Sequence, residues 1–121
     1  MISYELPDDD MEKSAARHVL ELDLRADFFD EKLFNDPCWN IVSACFAFEA
    51  AGKRFTLTDA LKHARVSPHT GRRWLDVLSS GGWLLLENEA MPDSPVRLTA
   101  LARQAMTTYL GKLESRLGHR P

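Results

Sequence analysis

Between residues 11 and 34, apolar side chains recur every three or four positions, at Met11, Ala15, Val19, Leu22, Ala26, Phe29 and Leu33. That spacing predicts one face of an α-helix. A second row, Ala16, Leu20, Leu24 and Phe28, widens the apolar surface beyond the single stripe that one core contact needs. The excess predicts burial partly against a second subunit. Trp39, Val42, Cys45, Phe46 and Ala50 predict a second helix over 37–51. Asp36 is placed to cap it, Pro37 to occupy its first position, and Gly52 to follow its last turn.

The pattern then shortens. Arg54-Phe55-Thr56 reads as a very short strand. Thr56 and Asp59 have the spacing of a capping box for a helix over 57–64, with Leu57, Ala60, Leu61 and Ala64 facing inward. Arg65-Val66 turns the chain. Ser67 caps the next helix, Pro68 opens it, and it runs to about Ser79 before Gly81-Gly82 stops it. Trp83 to Glu87 reads as a strand and Val96-Arg97-Leu98 as its partner, joined by the polar connector Asn88–Pro95. Thr99 caps a last helix, about 100–117. Its apolar positions, Leu101, Ala102, Ala105, Met106, Tyr109, Leu110, Leu113 and Leu117, again exceed one stripe.

Two helices joined by about three residues form a helix-turn-helix pattern over 57–80. In such a unit the second helix enters the major groove of DNA with its N-terminal residues at the base edges. On 68–80, Gly71, Trp74, Leu75 and Leu78 share one face and predict inward packing. The other face presents His69, Arg72, Arg73 and Asp76. An arginine fork gives guanine edges and phosphates two hydrogen bonds at once. His69 and Thr70 are placed to donate to bases or phosphates near the positive helix end. Asp76 on the same face would repel phosphate unless it pairs with an arginine or with cytosine. Gly71 inside the helix costs about 1 kcal/mol relative to alanine, which predicts close approach of the preceding helix.

Charge sharpens this picture. The net charge of −3 argues against nucleic acid until its distribution is read. Residues 1–36 hold 11 acidic and 4 basic side chains, a net of −7. Residues 53–73 hold Lys53, Arg54, Lys62, Arg65, Arg72 and Arg73 against Asp59 alone, a net of +5, and residues 99–121 have a net of +3. Local field decides what a surface attracts.

The remaining composition bounds the class. A length of 121 residues, with 45% apolar and 27% charged side chains, predicts one globular domain. Residues 1–10 read as an acidic, flexible tail and 11–121 as the folded domain. No uninterrupted apolar run is long enough for a membrane span. The acidic start is unlike a secretory leader, so a cytoplasmic protein is expected. Cys38 and Cys45 lie seven apart on one helix, roughly 10 Å along its axis and too far for a bridge. They read as reduced, buried thiols, the alternative being a thiol sensor that pairs across a dimer. The four histidines show no metal spacing, and no phosphate loop, nucleophile elbow or paired catalytic carboxylates occur. Catalysis, a cofactor and a metal are therefore not expected.

Several segments resemble the multiple-antibiotic-resistance repressor (MarR) family: Leu57-Thr58-x-Ala60-Leu61, Val66-Ser67-x-x-Thr70-x-x-Arg73-Trp74-Leu75, Leu78-x-x-x-Gly82-Trp83-Leu84, Val96-Arg97-Leu98-Thr99, and upstream Asp36-Pro37-x-Trp39. The likeness covers roughly residues 33–110. It implies a mainly α fold, an α+β winged helix in which a helix-turn-helix and a two-stranded wing are flanked by N- and C-terminal dimerisation helices. It implies a homodimer on a palindromic operator, joined through Val19, Leu22, Phe29, Met106, Tyr109, Leu113 and Leu117. Ser67, His69, Thr70, Arg72 and Arg73 would touch double-stranded DNA. The local charge adds Arg65, Lys53 and Arg54 as further cationic contacts, and Arg97 on the return strand of the wing is placed to meet phosphate. Members of the family often take a small aromatic effector, and no residue here identifies one. The tip Glu89-Ala90-Met91-Pro92-Asp93-Ser94-Pro95 departs from the family by carrying no basic residue. That departure and the acidic segment 1–36 support an alternative, a winged-helix module that binds protein.

Overall fold

The computed structural model describes residues 9–30 and 35–117. Five helices and one hairpin follow in order: α1 (Asp9–Phe28), α2 (Asp36–Ala50), α3 (Leu57–Ala64), α4 (Pro68–Ser80), β1 (Leu84–Leu86), β2 (Val96–Leu98) and α5 (Ala100–Arg116). The fold is mainly helical with a two-stranded antiparallel wing, as the hydrophobic pattern predicts. Leu84 pairs with Leu98, Leu85 with Arg97 and Leu86 with Val96. The expected strand at 54–56 is reduced to a single bridge, Thr56 to Pro95, with the Val96 N–H donating to the Phe55 carbonyl at 2.9 Å. Trp83 and Glu87 fall outside β1.

Local chemistry sets the ends of the helices. Thr56 Oγ1 accepts from the Asp59 N–H at 3.2 Å while the Thr56 N–H donates to Asp59 Oδ2 at 3.0 Å, completing the capping box. Ser67 caps α4 through the Thr70 N–H, and Thr99 caps α5 through the Ala102 N–H. The cap of α2 is Asn35, not Asp36, because the Asn35 carboxamide reaches the Cys38 N–H. Asp36 and Pro37 then open the first turn, where a carboxylate favours the positive end of the helix. Gly52 lies just past α2 at φ +68°, a conformation that glycine adopts without steric cost.

The first helix differs from expectation at both ends. Asp9 and Asp10 are already helical, and residues 1–8 of the expected tail lie outside the described residues. The helix stops at Phe28, six residues before the expected end. Phe29 leaves the helical path and sits in an aromatic cluster, 5.0 Å from Trp39, 5.7 Å from Trp83 and 6.0 Å from Tyr109 between ring centroids. Three such ring contacts outweigh one more helical hydrogen bond. Leu33 lies outside the described residues.

The core joins α2, α3, α4, the hairpin and α5, with Ile41, Val42, Leu75, Leu78, Leu84 and Leu98 almost wholly buried. In α2, Cys38 and Ile41 join the expected Val42 and Cys45 inside, while Ala50 is exposed. Gly71 of α4 is where α3 comes closest: a Cβ there would meet Leu61 Cδ2 at 3.0 Å. That contact sets the spacing of the helix-turn-helix.

The terminal helices divide the residues expected at the dimer seam. Met106, Tyr109 and Leu113 form with Ala102 one buried stripe of α5, at spacings of three and four. They are 3–4% exposed, as is Phe29, so all four belong to the core of the single chain. Leu117 is half-buried against the same core. In α1, Leu20, Leu24 and Phe28 pack inward, whereas Val19 and Leu22 remain 57% and 48% exposed. The two rows of α1 thus separate into a core row and an outward row.

Candidate nucleic-acid interface

Burial of Gly71, Leu75 and Leu78 fixes the rotation of α4. At 100° per residue, His69, Arg73, Val77 and Ser80 then point away from the core, with Arg72 at one edge and Trp74 at the other. Trp74, expected on the inward face, is only half-buried. The turn before α4 places Arg65 in the left-handed region, φ 59° and ψ 34°, the one non-glycine with positive φ among the described residues. Its side chain is exposed at the mouth of the turn.

The cations of this unit divide by what they touch. Arg65, Lys62, Arg73 and His69 have no hydrogen bond to a side chain and no ion pair among the described residues. Arg72 instead donates from Nη1 to the Glu89 carbonyl of the wing at 3.0 Å. It borders a notch of about 80 Å³ with Leu57, Leu75, Asp76, Leu86 and Glu89. A hydrogen bond with the Asp76 carboxyl, slight burial and the Asp76 charge push the Glu89 carboxyl above its ordinary value, while Arg72 pulls it down. Arg73 is therefore the free guanidinium of α4, and Arg72 is shared with the wing. The sequence pattern placed the two side by side on one face and did not separate them.

Ser67 and Thr70 are partly committed as well. Ser67 Oγ accepts from the Thr70 N–H at 3.3 Å and donates to Thr70 Oγ1 at 3.0 Å. Both hydroxyls sit at the positive end of α4, where an anion is favoured.

The wing loop is tied to the start of α3. The Leu57 N–H donates to the Ser94 carbonyl at 2.9 Å, and the Thr58 N–H to the Pro92 carbonyl at 3.0 Å. Thr58 Oγ1 adds a bond to Pro92 O at 2.9 Å. Free N–H groups at the start of α3 thus find acceptors in the wing loop. Inside the loop, Ser94 Oγ accepts from the Asn88 N–H and Asn88 Oδ1 from the Ala90 N–H, both at 3.0 Å. This ties the acidic tip to the body of the domain.

The other expected cations gather elsewhere. Lys53, Arg54 and Arg97 surround a cleft whose lining includes no residue of α3 or α4. Arg54 Nη2 donates to the Asp93 carbonyl at 2.7 Å. Arg97 stands 3.7 Å from Glu87, both well exposed. Arg103 of α5, which sequence reasoning missed, completes the cleft. It pairs with Glu49 at 2.8 Å, and nothing in the spacing of residues 49 and 103 signals that meeting.

Both thiols are buried, and Cys45 Sγ lies behind the cleft, 3.7 Å from Glu49 Oε2 and 3.6 Å from the Val96 carbonyl. Burial pushes Cys38 up to about 11. Burial, helped by Glu49, pushes Cys45 up to about 12. Both ionise less readily than an exposed cysteine, which weighs against the sensor reading. Among the described residues, no group of three or more metal-ligating side chains comes together, and no helix is long and apolar enough to cross a membrane.

No family model and no curated protein matches the sequence. Solved structures do match the fold. MepR, a transcription regulator of the Staphylococcus aureus multidrug efflux pump MepA, superposes with a TM-score of 0.62 at 11% identity, over 91% of this chain and 79% of its own. NadR in complex with 4-hydroxyphenylacetate gives 0.60 at 13% identity, over 98% and 82%. A MarR family transcriptional regulator from Silicibacter pomeroyi gives 0.58 at 16% identity, over 99% and 85%. With its helix-turn-helix, its short antiparallel wing and its flanking helices, this chain has the MarR-like winged-helix fold.

Proposed function

We propose that the chain is a DNA-binding transcription regulator that acts as a homodimer on a palindromic operator. One observation carries the reading: α4 presents Arg73 and His69 outward, unpaired, beside the free Arg65 of the turn, on a helix-turn-helix whose Lys62, Arg65, Arg72 and Arg73 outnumber Asp59 and Asp76, a net of +2 over 57–80. Ser67 and Thr70 would receive a phosphate at the start of α4, and Arg72 would hold the wing in register with α4. The neighbours in fold whose names identify them as transcription regulators support the same class and argue against an enzyme. A cytoplasmic location goes with that class. A small-molecule effector also belongs to the reading, since NadR is found in complex with 4-hydroxyphenylacetate.

The test is selection from random duplex DNA, followed by titration of the winner at several salt concentrations. A two-fold symmetric site is expected. Arg73→Ala is expected to cost about 1–3 kcal/mol and to relax the preference at one base pair per half-site, with the thermal midpoint unchanged. Binding that ignores both salt and this substitution would remove the assignment. The acidic notch at Asp76 and Glu89, next to Arg72, favours the second reading, a protein-binding winged helix. Recovery of a protein partner whose binding is lost in Asp76→Ala, with no salt-sensitive DNA binding, would select it.

A further inference from the structure

The cleft beside the wing has a composition that the helix-turn-helix does not use. It measures about 470 Å³ and lies between the end of α2, strand β2 and the start of α5. Ligand sites commonly occupy about 300–1,000 Å³. Lys53, Arg54, Arg97 and Arg103 converge on it, against Glu49 and Glu87. These four cations and two carboxylates leave two positive charges uncompensated.

The pairings within the cleft show where that excess resides. Glu49 is fully engaged: Oε2 accepts from the Leu98 N–H at 2.9 Å, and Oε1 from Arg103 Nη2 at 2.8 Å and Nε at 3.3 Å. Glu87 reaches Arg97 only at 3.7 Å, beyond good hydrogen-bond length. Arg54 donates to a neutral carbonyl. Lys53 has no side-chain partner among the described residues. Lys53, Arg54 and Arg97 thus face a space large enough for a ligand with most of their charge unopposed.

We infer that this cleft binds a compact oxyanion bearing at least two negative charges, of phosphoryl chemistry, through Lys53, Arg54 and Arg97. Two sources share that chemistry: a free phosphorylated small molecule, and the backbone phosphates of bound DNA. The position gives binding a consequence. Arg97 belongs to the wing strand, and Glu49 ties α2, β2 and α5 together. An anion here would therefore stiffen the junction between the wing and the last helix.

The experiment uses the full chain and inorganic pyrophosphate at constant ionic strength, followed by calorimetry. Wild type is expected to bind saturably, and Lys53→Ala combined with Arg97→Ala to weaken binding about tenfold or more, the effect of losing charge-assisted contacts. Arg73→Ala, outside the cleft, is expected to bind pyrophosphate like wild type. Circular dichroism melting of each variant checks folding; both cleft side chains are exposed. A second arm measures the slope of log affinity against log salt on duplex DNA. A slope reduced by about two in the double variant, with no pyrophosphate binding, assigns the cleft to DNA phosphates. Saturable pyrophosphate binding with an unchanged slope assigns it to a free ligand. If the double variant alters neither measurement, the inference is overturned. The first arm needs no DNA, so its result stands or falls apart from the DNA reading.

Discussion

Arg65 occupies a backbone conformation that glycine or asparagine would adopt at lower cost. The left-handed geometry opposes an arginine by about 1–2 kcal/mol, and the greater freedom of an unfolded glycine returns about 0.5–1 kcal/mol of that. Arg65→Gly is thus expected to raise stability by up to about 1 kcal/mol in denaturant unfolding. If the side chain meets a phosphate, the same substitution also lowers the salt slope of DNA binding by about one. A more stable protein with undiminished binding would show that the charge at the turn has no such role. Residue identity alone marked Arg65 as a cation at a turn. Its backbone strain depends on the packing of α3 against α4 and was not legible in the sequence. Arg72 and Arg73 make the same point from the other side: adjacent and chemically identical, they differ because one edge of α4 meets the wing.

Elements join through a few polar contacts, and Glu49 is the clearest. Burial alone would raise its carboxyl pKa, but the Leu98 N–H and the Arg103 guanidinium outweigh that and hold it below its ordinary value. The folded state therefore prefers the ionised form more than the unfolded chain does. Its contribution to stability is complete above the ordinary carboxylate range and is lost as pH falls through the lowered folded value. Urea melts of wild type and Glu49→Gln should differ at neutral pH and converge as the pH falls; a gap that stays constant through acid would contradict this. The wing shows the same dependence on distant contacts. Its two strands follow from Leu84–Leu86 and Val96–Leu98. The path of its loop follows from N–H groups of α3 finding carbonyls at 92 and 94, partners some 34–37 positions away.

At the scale of the whole molecule, the question is what covers the outward row of α1. Val19 and Leu22 are more exposed than side chains of their type usually are in a finished assembly, and α1 packs chiefly along α5. The dimer reading therefore rests on these two positions and on the half-buried Leu117; Phe29, Met106, Tyr109 and Leu113 are spent inside one chain. Light scattering at micromolar concentration is expected to give twice the mass of the chain. Val19→Asp with Leu22→Asp should reduce it to the single mass while the helical circular dichroism is kept. A wild-type protein that elutes as a monomer would remove the dimer, and with it the expectation of a palindromic site.

The order and type of the elements could be read from the chain because they rest on local physics: helical periodicity, capping side chains at Thr56, Ser67 and Thr99, and glycines where helices stop. The inward face of α4 was legible for the same reason. What depended on the folded whole was every choice between partners that are far apart in sequence. Periodicity reports that a side chain is apolar and on a given face, but not whether the surface opposite belongs to the same chain, so the stripes of α1 and α5 looked alike until their packing separated them. Charge pattern likewise counts cations without revealing their neighbours. Only folding sent Lys53, Arg54 and Arg97 to meet Arg103 in one cleft and left Arg65 and Arg73 on another surface, because electrostatic partners are set by distance in space.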